Sequence, residues 1–118
     1  MKKIIVFAFA ITLFAFIPKK KLTGRWESKP SAKGNITGVV FNEDQTYEGY
    51  INRKPFVSGR YTLKRNKMTI EETGCNGHKS IYRIILFSGA DSMRFEPISD
   101  SCKERREGMA KTILGRIK

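Results

Sequence analysis

His78 is the only histidine in the sequence, and it stands in the glycine-flanked loop Gly74-Cys75-Asn76-Gly77-His78. Its imidazole is the one ordinary side-chain base that could activate a serine, threonine or cysteine, and such activation needs base and nucleophile within hydrogen-bond reach. No nucleophile motif surrounds it. A metal centre would need three or four ligands, and a bond between Cys75 and Cys102, the only cysteines, would take both sulfurs out of the ligand set. Carboxylates could instead work as an acid and base pair. Glu71 and Glu72 are adjacent, however, which on a strand sends them to opposite faces. Glu43-Asp44 has the composition of a hairpin connection. The sequence therefore predicts no catalytic residue, no metal ligand and no cofactor, and the chain is not expected to be an enzyme.

The aromatic residues are more informative. Phe41, Tyr47, Tyr50, Phe56, Tyr61, Tyr82, Phe87 and Phe95 are spread over many short segments, as the interior of a barrel would require. Their first role is packing, because a chain this short needs most of these rings for its core. Small-molecule sites are apolar pockets with a few placed polar groups. For such a pocket Tyr47, Tyr61 and Tyr82 are the candidates for its wall, and Arg83 or Arg94 would supply charge if their faces turn inward. The basic and aromatic stretch from Tyr50 to Phe56, with Arg60-Tyr61, also has the composition of a surface that stacks single-stranded nucleic acid. Export and a count of eight strands rather than five argue against it, so no nucleic-acid partner is expected.

The elements that must position these residues begin after an unusual first segment. Met1-Lys2-Lys3 is a short positive start, and Ile4 to Ile17 then run without a charge, with Thr12 the only polar residue. That is the order of a secretory signal, and the run is shorter than the roughly 18 to 20 apolar residues that span a bilayer as a helix. Residues 1–18 are expected to be a signal peptide. An uncleaved apolar anchor, with Lys19, Lys20 and Lys21 at the membrane surface, is the alternative, because Ala8 and Ala10 lie too early for a cleavage site. No cysteine lies near the end of the apolar run, so no lipoprotein anchor is expected.

Export, to a periplasm or the extracellular medium, accounts for the cysteines, since an oxidising compartment lets a disulfide persist. Two cysteines allow one intramolecular pairing, Cys75 with Cys102; the alternative is two free structural thiols. The net charge of +12 falls to +10 once Lys2 and Lys3 are removed. In an exported protein the nearest polyanions are lipid headgroups and acidic glycans, so an anionic lipid surface is a candidate partner.

From Leu22 onward short β-like runs alternate with turn residues, the pattern of a sandwich or barrel. The runs are Leu22–Ser28, Ile36–Asn42, Thr46–Arg53, Phe56–Lys64, Lys67–Thr73, Ser80–Phe87, Ser92–Ile98 and Met109–Ile117. Within the fourth, Val57, Gly59, Tyr61 and Leu63 share one face against Ser58, Arg60, Thr62 and Lys64. Asn52-Arg53-Lys54-Pro55 turns the chain, Pro55 being unable to donate to a central ladder. Ser99-Asp100-Ser101 supplies helix-starting side chains, and Cys102–Gly108 is expected to make one or two helical turns. Eight sequential antiparallel strands can close into an up-and-down barrel, which removes exposed edges. The predicted fold is thus all-β: one eight-stranded barrel domain over residues 22–118 with a short helix before the last strand.

Gly24-Arg25-Trp26, the hairpin Phe41-Asn42-Glu43-Asp44-Gln45-Thr46-Tyr47, Gly59-Arg60-Tyr61-Thr62-Leu63 and the tail Asp100-Ser101-Cys102-Lys103-Glu104-Arg105 together resemble small secreted bacterial lipocalin-like proteins of the calycin type. The likeness covers about residues 22–117. It implies that Gly24 and Trp26 close one end of the barrel, with the indole under an arginine from near the end of the chain. Arg116 is the first candidate and Arg105 its rival. It also implies that the tail cysteine bonds a cysteine before the sixth strand. Strands of about seven residues enclose little room, so side chains could fill the barrel. Two roles follow: a monomeric carrier of a small apolar or amphipathic ligand, or a filled barrel whose basic surface meets anionic lipid or a protein.

Overall fold

The computed structural model describes residues 22–72 and 74–118. The reading of residues 1–18 as a signal or anchor lies outside them. Eight strands follow in order: β1 Gly24–Glu27, β2 Thr37–Phe41, β3 Thr46–Ile51, β4 Lys54–Lys64, β5 Lys67–Glu72, β6 Ser80–Phe87, β7 Ser92–Ser99 and β8 Ile113–Ile117. A 3-10 turn, Cys75–Gly77, precedes β6, and an α-helix, α1 Lys103–Lys111, precedes β8. Each strand pairs antiparallel with its neighbour in sequence. The ring closes where β8 returns to β1 through Arg25↔Ile117, Trp26↔Arg116 and Glu27↔Gly115. The fold is the closed eight-stranded antiparallel barrel expected, with its helix before the last strand.

Period-two alternation decides what faces inward. In β5, Met68 and Ile70 are buried between exposed Lys67 and Glu71. In β6 and β7, Tyr82, Ile84, Met93 and Phe95 are buried while Arg83 and Arg94 are exposed. Leu22, Trp26, Phe41, Tyr47, Tyr61 and Leu114 complete a core to which every strand contributes. Burying a side chain of this size contributes about 1.5 to 3 kcal/mol. On the outside, Tyr50 crosses Gly38 of β2 to donate a hydrogen bond from its hydroxyl to Glu27 Oε2 on β1 at 2.5 Å. A Cβ at position 38 would collide with that ring, so glycine is needed there.

Alternate connections of an up-and-down barrel fall at the same end. Residues 42–45, 65–66 and 88–91 therefore lie at one end, and 28–36, 52–53, 74–79 and 100–112 at the other. The second end carries α1 and the disulfide. Cys75 and Cys102 are bonded, with Cα atoms 6.0 Å apart across a sequence separation of 27. Their thiols are not free.

Two differences from the expected boundaries bear on the fold. The last strand begins at Ile113 rather than Met109, because the helix runs on through Gly108 to Lys111 and ends where the Thr112 amide bonds the Met109 carbonyl. Met109 packs on the core from the helix, and that burial outweighs the alternating pattern that suggested a strand. Pro55 lies inside β4, paired with Tyr50 of β3, rather than in a turn. The register of β4 with β5 starts only at Gly59, so no ladder bond is lost at the proline.

Candidate functional site

One end of the barrel is sealed. Trp26 is fully buried, and its indole N–H donates to the Leu22 carbonyl at 2.9 Å. The Arg116 guanidinium carbon stands 4.3 Å from the centre of the ring, directly across the β1–β8 pair. Arg116 also donates from Nη1 to the Thr23 carbonyl and from Nη2 to the Ala90 carbonyl, which ties the start of β1 to the β6–β7 turn. Gly24 has φ of +120°, and Arg116 Nη1 would lie 3.9 Å from a Cβ built there. A side chain at Gly24 would therefore be strained whatever the space. The arginine over the indole is Arg116. Arg105 lies at the other end of the barrel and does something else.

Between the seal and α1 is a cavity of about 460 Å³. Val39, Phe41, Met68, Ile70, Phe95 and Leu114 form its apolar wall, and Met109 reaches it from α1. Its polar edge is made of Tyr47, Glu72 and Arg105, with the Cys75–Cys102 bridge beside them. A second hollow, of about 550 Å³, runs over the outer face of β1 to β4 between Arg25, Tyr50, Arg53 and Phe56. It is a groove open to solvent on its outer side. The interior cavity is walled by β2 to β5, β7, β8 and α1 and is the better candidate for holding a molecule.

The polar edge is built around Arg105. Its Nη1 donates to Glu72 Oε1 at 2.8 Å, its Nε to Asp100 Oδ2 at 2.9 Å, and its Nη2 to Asp100 Oδ1 at 2.8 Å and to the His78 carbonyl at 3.1 Å. The side chains of Arg105, Glu72 and Asp100 are 9%, 8% and 0% exposed. Tyr82 donates its hydroxyl to Asp100 Oδ2 from behind, and the Cys102 amide donates to Oδ1 at 2.9 Å. Burial would raise the Asp100 carboxyl, but the hydrogen bonds from Arg105, Tyr82 and Cys102 outweigh it and hold the group down at about 2. The network fastens α1 to the barrel mouth.

Tyr47 is different. Its ring lines the cavity, its hydroxyl is buried, and that oxygen has no hydrogen-bond partner among the described residues. Burial first, and the charge of nearby Glu72 second, push the phenol up, while Arg105 opposes them. Ser80 Oγ is also buried without a partner, but it does not line the cavity.

Of the residues expected at a pocket wall, Tyr47 is there. Tyr61 and Tyr82 are core residues instead: Tyr61 packs edge-on to Phe41 at 5.1 Å and bonds the Asn42 carbonyl toward the sealed end, and Tyr82 supports Asp100. Arg83 and Arg94 turn outward, where both pair with Glu96, because inward Tyr82, Ile84, Met93 and Phe95 leave the alternate positions to solvent. They supply no charge to the interior. Glu71 and Glu72 do point to opposite faces, Glu71 pairing outside with Lys79. The cavity residue that sequence reasoning missed is Glu72, although the alternation after Met68 and Ile70 already put it inside. His78 is exposed and contributes its backbone carbonyl.

Comparison of the chain with protein-family models finds no match, and neither does comparison with curated proteins. Among the described residues no helix is long and apolar enough to cross a membrane.

Proposed function

We propose that this chain is an exported lipocalin-like binding module that holds a small apolar or amphipathic ligand inside its barrel. The observation that carries this reading is the cavity of about 460 Å³ beneath α1, which falls within the about 300 to 1,000 Å³ of small-molecule pockets and has their apolar wall with few polar groups. The G-x-W seal under Arg116 supports the lipocalin likeness, and the Cys75–Cys102 bond supports an oxidising compartment. No catalysis is part of this reading, and the carrier works as a monomer. Native mass spectrometry of the protein purified from its exporting cell tests it. A bound small molecule released on unfolding is the expected result; a protein that arrives empty and takes up no apolar probe overturns the reading.

A second reading has its own observation. Phe56 is 68% exposed at the start of β4, next to Arg53 and Lys54, on a chain of net charge +12. An apolar tip flanked by cations suits an anionic lipid surface. Sedimentation with vesicles containing phosphatidylglycerol tests it, with binding that salt weakens as the expected result.

A further inference from the structure

Every charged side chain that lines the cavity is either a carboxylate or a guanidinium that carboxylates already hold. Among the described residues Arg105 is the single lining cation, and Asp100 and Glu72 take its Nε and Nη1 while Asp100 and the His78 carbonyl take its Nη2. Four of its five N–H groups are thus committed. Glu72 and, at the exposed rim, Glu104 leave the lining with more negative than positive charge, against the strongly basic balance of the whole chain. Among the described lining residues the buried side-chain polar atom without a hydrogen bond is the Tyr47 hydroxyl, on a residue 6% exposed and close enough to Glu72 for that charge to act on it. A buried hydroxyl with no hydrogen bond carries a desolvation cost that a suitable ligand atom would recover.

From this juxtaposition we infer that the cavity selects amphiphiles whose head donates hydrogen bonds, an alcohol or an amine on an apolar body, and rejects fatty-acid carboxylates. An alcohol head can accept the Tyr47 O–H and donate its own to the Glu72 carboxylate, and an ammonium can donate to both oxygens. A carboxylate head would enter a desolvated edge beside Glu72 with no uncommitted cation to receive it, and burying an unpaired charge is strongly unfavourable. The inference rests on the carrier reading and specifies its ligand.

The test is displacement of the neutral fluorophore N-phenylnaphthylamine from the full exported protein by dodecanol, dodecylamine and dodecanoate, which share one chain length. Dodecanol and dodecylamine should compete at concentrations about tenfold or more below dodecanoate. Tyr47→Phe, which keeps the ring and its packing, should weaken the alcohol and the amine several-fold. Glu72→Gln should narrow the gap between amine and carboxylate; should that variant fail to fold, the Tyr47→Phe comparison decides alone. Dodecanoate competing as well as the amine overturns the head-group preference and leaves the carrier reading standing. Failure of the fluorophore and of all three amphiphiles to bind overturns both.

Discussion

Arg105 and Glu72 are 33 positions apart in the chain and meet at 2.8 Å, one from the helix over the barrel mouth and the other from the inward face of β5. Asp100 holds the same guanidinium through two nitrogens. The contact is buried, so it carries more consequence than the ion pairs of the outer surface.

Arg105→Ala should therefore be far more damaging than loss of an exposed partner such as Lys79 or Arg83. It leaves two buried carboxylates without their cation, which for a buried pair costs about 3 to 5 kcal/mol. Exposed pairs contribute about 0 to 1 kcal/mol. Urea unfolding of Arg105→Ala beside Lys79→Ala measures the contrast. Arg105→Lys should recover only part of the loss, since an ammonium cannot fork to both acids.

Acid should loosen the same joint. Asp100 is held at about 2 in the folded protein against an ordinary value of 3.8, so its contribution to stability is complete above about 3.8 and is lost as pH falls from there through 2. Asp100→Asn should be less stable at neutral pH and show a flatter loss of stability over that window. Thermal unfolding from pH 5 down to pH 2 checks both halves, with equal slopes in the two proteins as the contrary result.

Much of this was legible beforehand, and the reason is local. Phe56–Lys64 and Lys67–Glu71 alternate cleanly, so their inward faces could be assigned from period two alone. The sequence pattern ends the helix at Gly108, because Ala110, Thr112, Leu114 and Arg116 alternate as a strand would, whereas the helix runs to Lys111 with Met109 packed on the core. The polar edge of the cavity was not legible. Glu72 and Arg105 acquire their roles from each other, and no local pattern states that two residues so far apart in sequence share a site. Arg83 and Arg94 could have been placed outside from the alternation of their own strands.

The disulfide closes a separation of 27 residues, worth about 3 kcal/mol in the chain-entropy account. Cys75→Ser with Cys102→Ser should lower unfolding free energy by about that amount. Guanidinium melts of oxidised wild type and the double variant measure it. Because the bridge joins the turn before β6 to the start of α1, the variant should also expose the mouth, seen as faster amide exchange in residues 100–112.

At the sealed end Trp26 is the only tryptophan, so its fluorescence reports on Arg116. Arg116→Ala removes a desolvated cation from the indole face, which costs about 1 to 2 kcal/mol. Its emission should shift in wavelength or intensity while circular dichroism still shows a β protein. An unchanged spectrum and unchanged stability would count against the guanidinium–indole contact as a seal.

The carrier reading stands or falls with the interior space, and filling that space is the most direct test. Val39 points into the cavity from β2 and is only partly buried, so Val39→Trp can occupy the room without displacing a fully packed side chain. Titration with N-phenylnaphthylamine should give saturable binding of one molecule per wild-type chain and none for folded Val39→Trp. Wild-type protein that gives no saturable signal, or a variant that binds as well as wild type, would contradict a ligand held inside the barrel.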